Sequence, residues 1–312
     1  MGKWGANLGL LIVALTWGTV IPTVNYLLPV WDPFFLGSVR YVAGAPLLIM
    51  LVWLLEGFRE ASPRISWWRP FLLGTIGLGF FAPLYTVGVA HANPIVAAVL
   101  SAAGPVIAGV VAWLSFREPM DRRVVPAIIL AVSGCILATV DFSQLRSAHS
   151  VFVIRGGELL ILAAAACWSW YSIAAQRWLT GWSQLRISAS TTIGGAPMLM
   201  AVYFMAGQVG WAQVPPAPPP DGWHLALLCW LTFVSIVLCL ILWNYGVRHL
   251  GVVVATVYLN LVPIVSLAIL AIMGVKPSLV QILGATLVIF GILYSEFLQY
   301  RYRRRRRRAV PV

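Results

Sequence analysis

Acidic side chains are scarce in this sequence, and the few present avoid the places where membrane chemistry would use them. Only 9 of the 312 residues are Asp or Glu, against 21 Lys and Arg. Charge of both signs amounts to 10% of the chain, where a soluble domain carries about 25%. A water-soluble fold would leave much of the 61% hydrophobic content facing solvent, so the composition points to an integral membrane protein. No polar stretch is long enough for a separate soluble domain.

Other absences narrow the chemistry. The chain has no phosphate loop of the G-x-x-x-x-G-K-[ST] type, which removes an ATP-driven pump. Its 4 histidines form no cluster with Cys and carboxylates at metal-ligand spacing. No metal, cofactor or catalytic residue is therefore expected, and little remains for a membrane-embedded hydrolase. Cys135, Cys167, Cys229 and Cys239 all fall within apolar runs and read as small buried hydrophobes rather than a disulfide framework. Asp and Glu are missing from every predicted helix centre, with Glu158 and Glu296 near ends. Proton antiport and a site for a permanent cation both want an intramembrane carboxylate, and multiply charged anions want several basic groups. A small neutral or zwitterionic solute fits best.

What is present is a series of ten apolar runs, each near the roughly 20 residues a spanning helix needs. They cover Leu8–Leu28, Phe34–Leu55, Phe71–Ala90, Pro94–Phe116, Val124–Val140, Glu158–Arg177, Ile187–Gly207, Trp223–Gly246, Val252–Met273 and Leu279–Leu298. The first follows Lys3 as a signal peptide would, but its length, Trp17 and Pro22 argue for a retained helix. With the N-terminus inside, nearly all Lys and Arg fall on the cytoplasmic side, and only Arg146, Arg155 and Lys276 fall opposite. Both termini are then expected in the cytoplasm. The net charge of +12 is concentrated in Arg303 to Arg308 after the last run, which suits a topological anchor touching anionic lipid and not nucleic acid.

The chain also repeats itself. Gly88, His91, Ala97, Pro105 and Pro119 recur 158 residues on as Gly246, His249, Ala255, Pro263 and Pro277. At a shift of 151, Trp17 falls on Trp168 and Gly44-Ala45-Pro46 on Gly195-Ala196-Pro197. Five runs per half is odd, so the second half enters the membrane from the opposite side. The expected fold is all-α, with ten transmembrane helices in two inverted five-helix repeats, residues 1–145 and 146–300, and an Arg-rich tail over 301–312. Repeated halves of this kind mark transporters.

Within this frame certain residues stand out. Trp4, Trp31, Trp53, Trp67, Trp68, Trp178, Trp182 and Trp223 sit where interfacial belts are expected, whereas Trp17, Trp168 and Trp170 lie mid-span. A mid-span Trp either lines a cavity or fills packing, and its indole N–H needs a partner. Arg40 is the one basic residue well inside a run; it faces the bundle interior or snorkels to the interface. Pro22, Pro105 and Pro263 deprive the carbonyls of Gly18, Ser101 and Leu259 of their helical partners and are expected as breaks or hinges. Matching interruptions in the fourth and ninth runs are the best sequence pointer to a transport site. Tyr85 is a belt residue or a ligand contact. His91 and His249 close helices at equivalent ends and read as caps before proton relays.

The Trp17-Gly18 pair, Pro33 followed by Arg40, and Arg117-Glu118-Pro119 followed by Gly134, in a ten-helix inverted repeat, resemble the EamA branch of the drug/metabolite transporter superfamily. Within it the aromatic-rich composition looks most like the YddG-type aromatic amino acid exporters of bacterial inner membranes. That resemblance implies export of aromatic and other neutral amino acids through a central cavity. The second half departs from the pattern at Ser169, Thr191 and Lys276. The expected substrate site comprises Trp17, Arg40, Tyr85, Ser101, Trp168, Tyr171, Tyr258 and Asn260, with the freed carbonyls taking polar groups. Downhill alternating access is expected because no buried acid is available. The expected partners are amino acid substrates, membrane lipids and, at most, a weak homodimer. The alternatives are a drug or quaternary-cation efflux carrier of the same fold and, more remotely, a membrane enzyme acting on lipid.

Overall fold

The structure, a computed structural model, describes residues 3–57, 66–101, 103–117, 129–130, 133–134, 137, 156–251, 254–255, 258–275, 278–280, 282–287, 290 and 294. Every regular element among them is helical. Helix α1 (Lys3–Gly18) and helix α2 (Val20–Leu27) form one apolar stretch interrupted at Thr19. The interruption follows from Pro22, which has no N–H for the Gly18 carbonyl. That carbonyl instead accepts from the Ser266 hydroxyl at 2.6 Å. Helix α3 (Pro33–Leu55) starts where the Asp32 carboxylate accepts from the Phe35 N–H at 2.8 Å, and it runs unbroken through Pro46.

The third stretch is built from α4 (Trp68–Gly74), a π-helical segment (Thr75–Phe80) and α5 (Phe81–His91). After a turn in which Asn93 accepts from the Ile95 N–H at 2.9 Å come α6 (Pro94–Ser101) and α7 (Gly104–Phe116). The later part of the chain contributes α8 (Gly157–Trp178) and α9 (Gln184–Gln208). Helix α10 (Gly222–Cys229), a second π-helical segment (Trp230–Leu238) and α11 (Cys239–Leu250) follow as one long stretch, and then α12 (Leu261–Ile272).

Six helical stretches are long and apolar enough to cross a membrane: Trp4–Leu27, Pro33–Leu55, Trp68–His91, Gly157–Trp178, Gln184–Gln208 and Gly222–Leu250. Predicted runs four and nine are represented by the shorter helices α6, α7 and α12. Run five lies mostly outside the described residues, run ten lies half outside them, and the arginine tail wholly so. The 158-residue shift reappears in the geometry. It carries Thr75–Phe80 onto residues 233–238, inside the second π-helical segment, and the gap after Ser101 onto the Leu259–Asn260 turn before α12. Pro22 maps at a shift of 151 onto Ile173, and α8 is unbroken there.

Glycines set where helices touch. A Cβ on Gly74 would stand 2.6 Å from the Gly195 nitrogen and 2.8 Å from the Gly194 carbonyl carbon, so α4 and α9 meet backbone to backbone. Likewise a Cβ on Gly88 would stand 2.9 Å from the Gly157 oxygen, bringing the end of α5 onto the start of α8. In lipid, where apolar burial drives little association between helices, such close approach supplies the packing. Ends are fastened by polar contacts: Arg186 Nε lies 2.9 Å from Glu56, joining the start of α9 to the end of α3. Trp31 is not a belt residue. It is 3% exposed and donates its indole N–H to the Ala217 carbonyl at 2.8 Å, pinning the Pro-rich segment onto the bundle.

Candidate functional site

The bundle holds a cavity of about 150 Å³, bordered by residues from the first span, α3, α5, α6, α7, α8, the second π-helical segment, α11 and the start of α12. That is room for several waters or one small organic solute. Its wall is aromatic. Trp17 meets Trp168 edge to face at 5.3 Å between ring centroids and Trp243 at 5.5 Å, and Trp168 stands 6.0 Å from Trp243. Phe81 packs on Trp168 at 5.3 Å and stacks on Tyr85 at 5.5 Å. Pairs of this geometry contribute about 0.5–1.5 kcal/mol each beyond their burial, so the wall is held as one body.

Polar groups in the wall are few, and most are engaged. Trp17 donates to the Ser235 carbonyl at 2.9 Å. Ser169 donates to the Ala165 carbonyl at 2.8 Å, and Ser172 to the Trp168 carbonyl at 2.9 Å. The indole of Trp243 in turn donates to Ser172 at 3.3 Å. The Trp168 indole nitrogen is buried without a partner.

Arg40 is different. It is 2% exposed and borders the cavity, yet its one hydrogen bond among the described residues runs from Nε to the Leu36 carbonyl of its own helix, at 2.8 Å. No carboxylate among the described residues pairs with it; its nearest ring is Tyr41, 5.9 Å from the guanidinium carbon. The terminal nitrogens, four N–H donors in a planar fork, are therefore left for whatever enters.

The structure thus gathers Trp17, Arg40, Tyr85 and Trp168 around one cavity and leaves other expected residues outside it. Tyr171 sits behind Trp168, ring to ring at 5.3 Å, with its hydroxyl 3.3 Å from that of Thr191 and accepting from Asn244 at 3.4 Å. The Tyr171 ring lies over Gly77, where only glycine leaves space, and its hydroxyl is directed to Thr191 of α9. Tyr258 donates its hydroxyl to Asn7 at 2.6 Å and packs with Leu10 and Trp243, so it ties α1 to the approach to α12 rather than forming wall. Asn260 is buried between the bordering Leu259 and Val262, outside the lining itself, with both amide atoms unpartnered. The side chains of Ser101 and Pro105 lie outside the described residues.

Two freed carbonyls are taken by the protein. Ser266 occupies that of Gly18, and the Val262 N–H donates to that of Leu259 at 3.0 Å through a tighter turn. They are helix clamps, not ligands. Trp170 turns away to meet Trp178 edge to face at 5.4 Å. His91 and His249 each lie 2.9 Å from the carbonyl four residues back, those of Val87 and Tyr245.

Three aromatic wall residues escaped the sequence reading: Tyr41, Phe81 and Trp243. Trp243 was discoverable, because the 158-residue shift carries Tyr85 onto it. Tyr41 and Phe81 carried no comparable signal. The expectation that no acid is buried also needs correction. Glu158 is 5% exposed, because the Gly157–Gly88 contact tucks the start of α8 under the end of α5.

Two stretches, residues 4–140 and 155–296, match the model of the EamA-like transporter family. The chain is 25% identical over 277 residues, 88% of each protein, to an uncharacterized transporter, YyaM, of Bacillus subtilis (strain 168). It is 23% identical over 298 residues to a second, YrdR, from the same organism, covering 93% of this chain and 90% of that one. A protein of known crystal structure superposes with a TM-score of 0.68 over 97% of this chain and 99% of its own; at 17% identity the likeness concerns the fold.

Proposed function

We propose, from the premise that this chain belongs to the EamA-like transporter family, that it exports aromatic and other neutral amino acids in the manner of the YddG-type carriers. One observation carries the reading: an aromatic cavity whose only charged wall residue among the described residues is a buried arginine with no carboxylate partner there. The Arg40 fork suits a substrate carboxylate. Trp17, Trp168, Trp243, Phe81 and Tyr85 suit an apolar or aromatic side chain, and their faces tolerate an ammonium group. The same positive charge argues against the drug or quaternary-cation alternative, since a permanent cation would meet Arg40 without a counter-charge in the wall. A lipid enzyme would need an acid-base pair, and the wall offers none among the described residues.

The proposed architecture is ten helices in two inverted repeats, residues 1–145 and 146–300, in a bacterial inner membrane with both termini cytoplasmic. The halves rock about the cavity in alternating access. The proposed partners are substrate and lipid, with the protein a monomer or weak homodimer. Because the cavity wall holds no acid among the described residues, movement is proposed to run downhill without obligatory proton exchange. The test is uptake of labelled Phe and Thr into proteoliposomes with and without an imposed pH gradient. Saturable uptake without the gradient supports the reading; uptake only with it overturns the downhill mechanism, and no uptake of either solute overturns the substrate.

A further inference from the structure

Two charged side chains are buried among the described residues, Arg40 at 2% and Glu158 at 5% exposure, and they have opposite signs. They do not pair with each other. Among the described residues Arg40 has its single bond to Leu36, and both carboxylate oxygens of Glu158 are buried with no hydrogen-bond partner. An unpaired buried carboxylate is costly, and a protein retains one where something else supplies the missing donors.

The position of Glu158 says what that could be. Counting along α8, residues 158, 161, 165, 168 and 172 form one stripe of the helix at spacings of three and four. Four of the five, Ile161, Ala165, Trp168 and Ser172, border the cavity. Glu158 lies one turn beyond Ile161 on that stripe, about 5 Å further along the axis at 1.5 Å per residue. This is also the end of α8 that the Lys and Arg asymmetry assigns to the outer side. Packed nearby, α5 brings two titratable groups, Tyr85 in the cavity wall and the exposed His91, whose ring nitrogen lies 2.9 Å from the Val87 carbonyl.

We propose that Glu158 is a second station on the transport path, which receives the ammonium group of a zwitterionic α-amino acid as it leaves the Arg40 cavity toward that end of α8. This rests on the reading of the cavity as an amino acid site and sharpens it. Passage then selects for both charged groups of the substrate: Arg40 takes the carboxylate, Glu158 the ammonium through N–H···O bonds. An acid lacking the amino group satisfies only the first.

The experiment compares rates of labelled phenylalanine and labelled 3-phenylpropionate into the same proteoliposomes, for the wild type, Glu158→Gln and Arg40→Gln. In the wild type, phenylalanine should move about tenfold faster or more, the factor set by about 1.4 kcal/mol. Glu158→Gln should bring the ratio down toward one, whereas Arg40→Gln should lower both rates, since both solutes carry a carboxylate. A merely structural Glu158 would lower both rates in parallel and leave the ratio intact, which overturns the proposal. The ratio does not depend on how much protein folds. If Glu158→Gln fails to insert, Glu158→Asp carries the test: a partial loss of the ratio supports the station, and an unchanged ratio overturns it. Wild-type protein that moves phenylpropionate but not phenylalanine sinks the amino acid reading itself, and the station with it.

Discussion

Arg40 shows how much a single residue can tell. A guanidinium at this depth is costly unless something pairs with it, and its own helix supplies one acceptor, the Leu36 carbonyl. Arg40→Gln is expected to lower phenylalanine flux by more than about tenfold, in keeping with the roughly 2–5 kcal/mol lost when one partner of a buried charge pair is removed. Arg40→Lys should recover part of it, because a point charge replaces a two-pronged fork. Both are read as initial rates normalised to protein extracted from the membrane; wild-type rates in Arg40→Gln would remove it from the site. The Trp17→Ala, Trp168→Ala double variant should likewise lose transport while still eluting as a single folded species in detergent. Such residues were legible because an intramembrane charge and a mid-span Trp break the pattern around them. Tyr171 and Tyr258 were not, since composition says that a residue is within a span but not which way its face turns. Their hydroxyls went to Thr191 and Asn7 instead.

At the scale of the element, proline and glycine carried most of what could be read. Pro22 announced the break between α1 and α2, and the need to satisfy the Gly18 carbonyl followed from it; that Ser266, 248 residues on, fills the need required the fold. Ser266→Ala leaves a buried carbonyl alone and is expected to cost about 1–3 kcal/mol. Thr286→Ala, an exposed hydroxyl bonded to its own helix at Ile282, serves as control and should be nearly silent. Thermal unfolding in detergent compares the two, and equal melting temperatures would contradict the clamp. Gly74→Leu should destabilise by about 3 kcal/mol, since backbone atoms of α9 cannot yield as a side chain does. Gly222→Ala, with nothing within 4 Å, should be tolerated. The two π-helical segments left no mark that periodicity could reveal. They become intelligible only afterwards, as segments that the 158-residue shift brings into register, the second of which lends Ser235 and Ile236 to the cavity wall.

For the whole molecule, hydropathy and repeat spacing carried the class of the protein: an all-helical membrane chain with six long apolar stretches and shorter interrupted helices between them. They could not locate the cavity, because its wall draws on side chains from most of the bundle, five from α8 and only one or two from each of the other elements. The second buried charge was likewise hidden, since Glu158 looks like an ordinary helix-end acid until the packing of α5 over α8 is seen. The measurement that tests the account most directly is counterflow of labelled phenylalanine into vesicles loaded with unlabelled phenylalanine, by the wild type beside Arg40→Gln and the Trp17, Trp168 double variant. The account predicts a saturable overshoot in the wild type that both variants lose. An overshoot of the same height in the variants would contradict a transport site at this cavity.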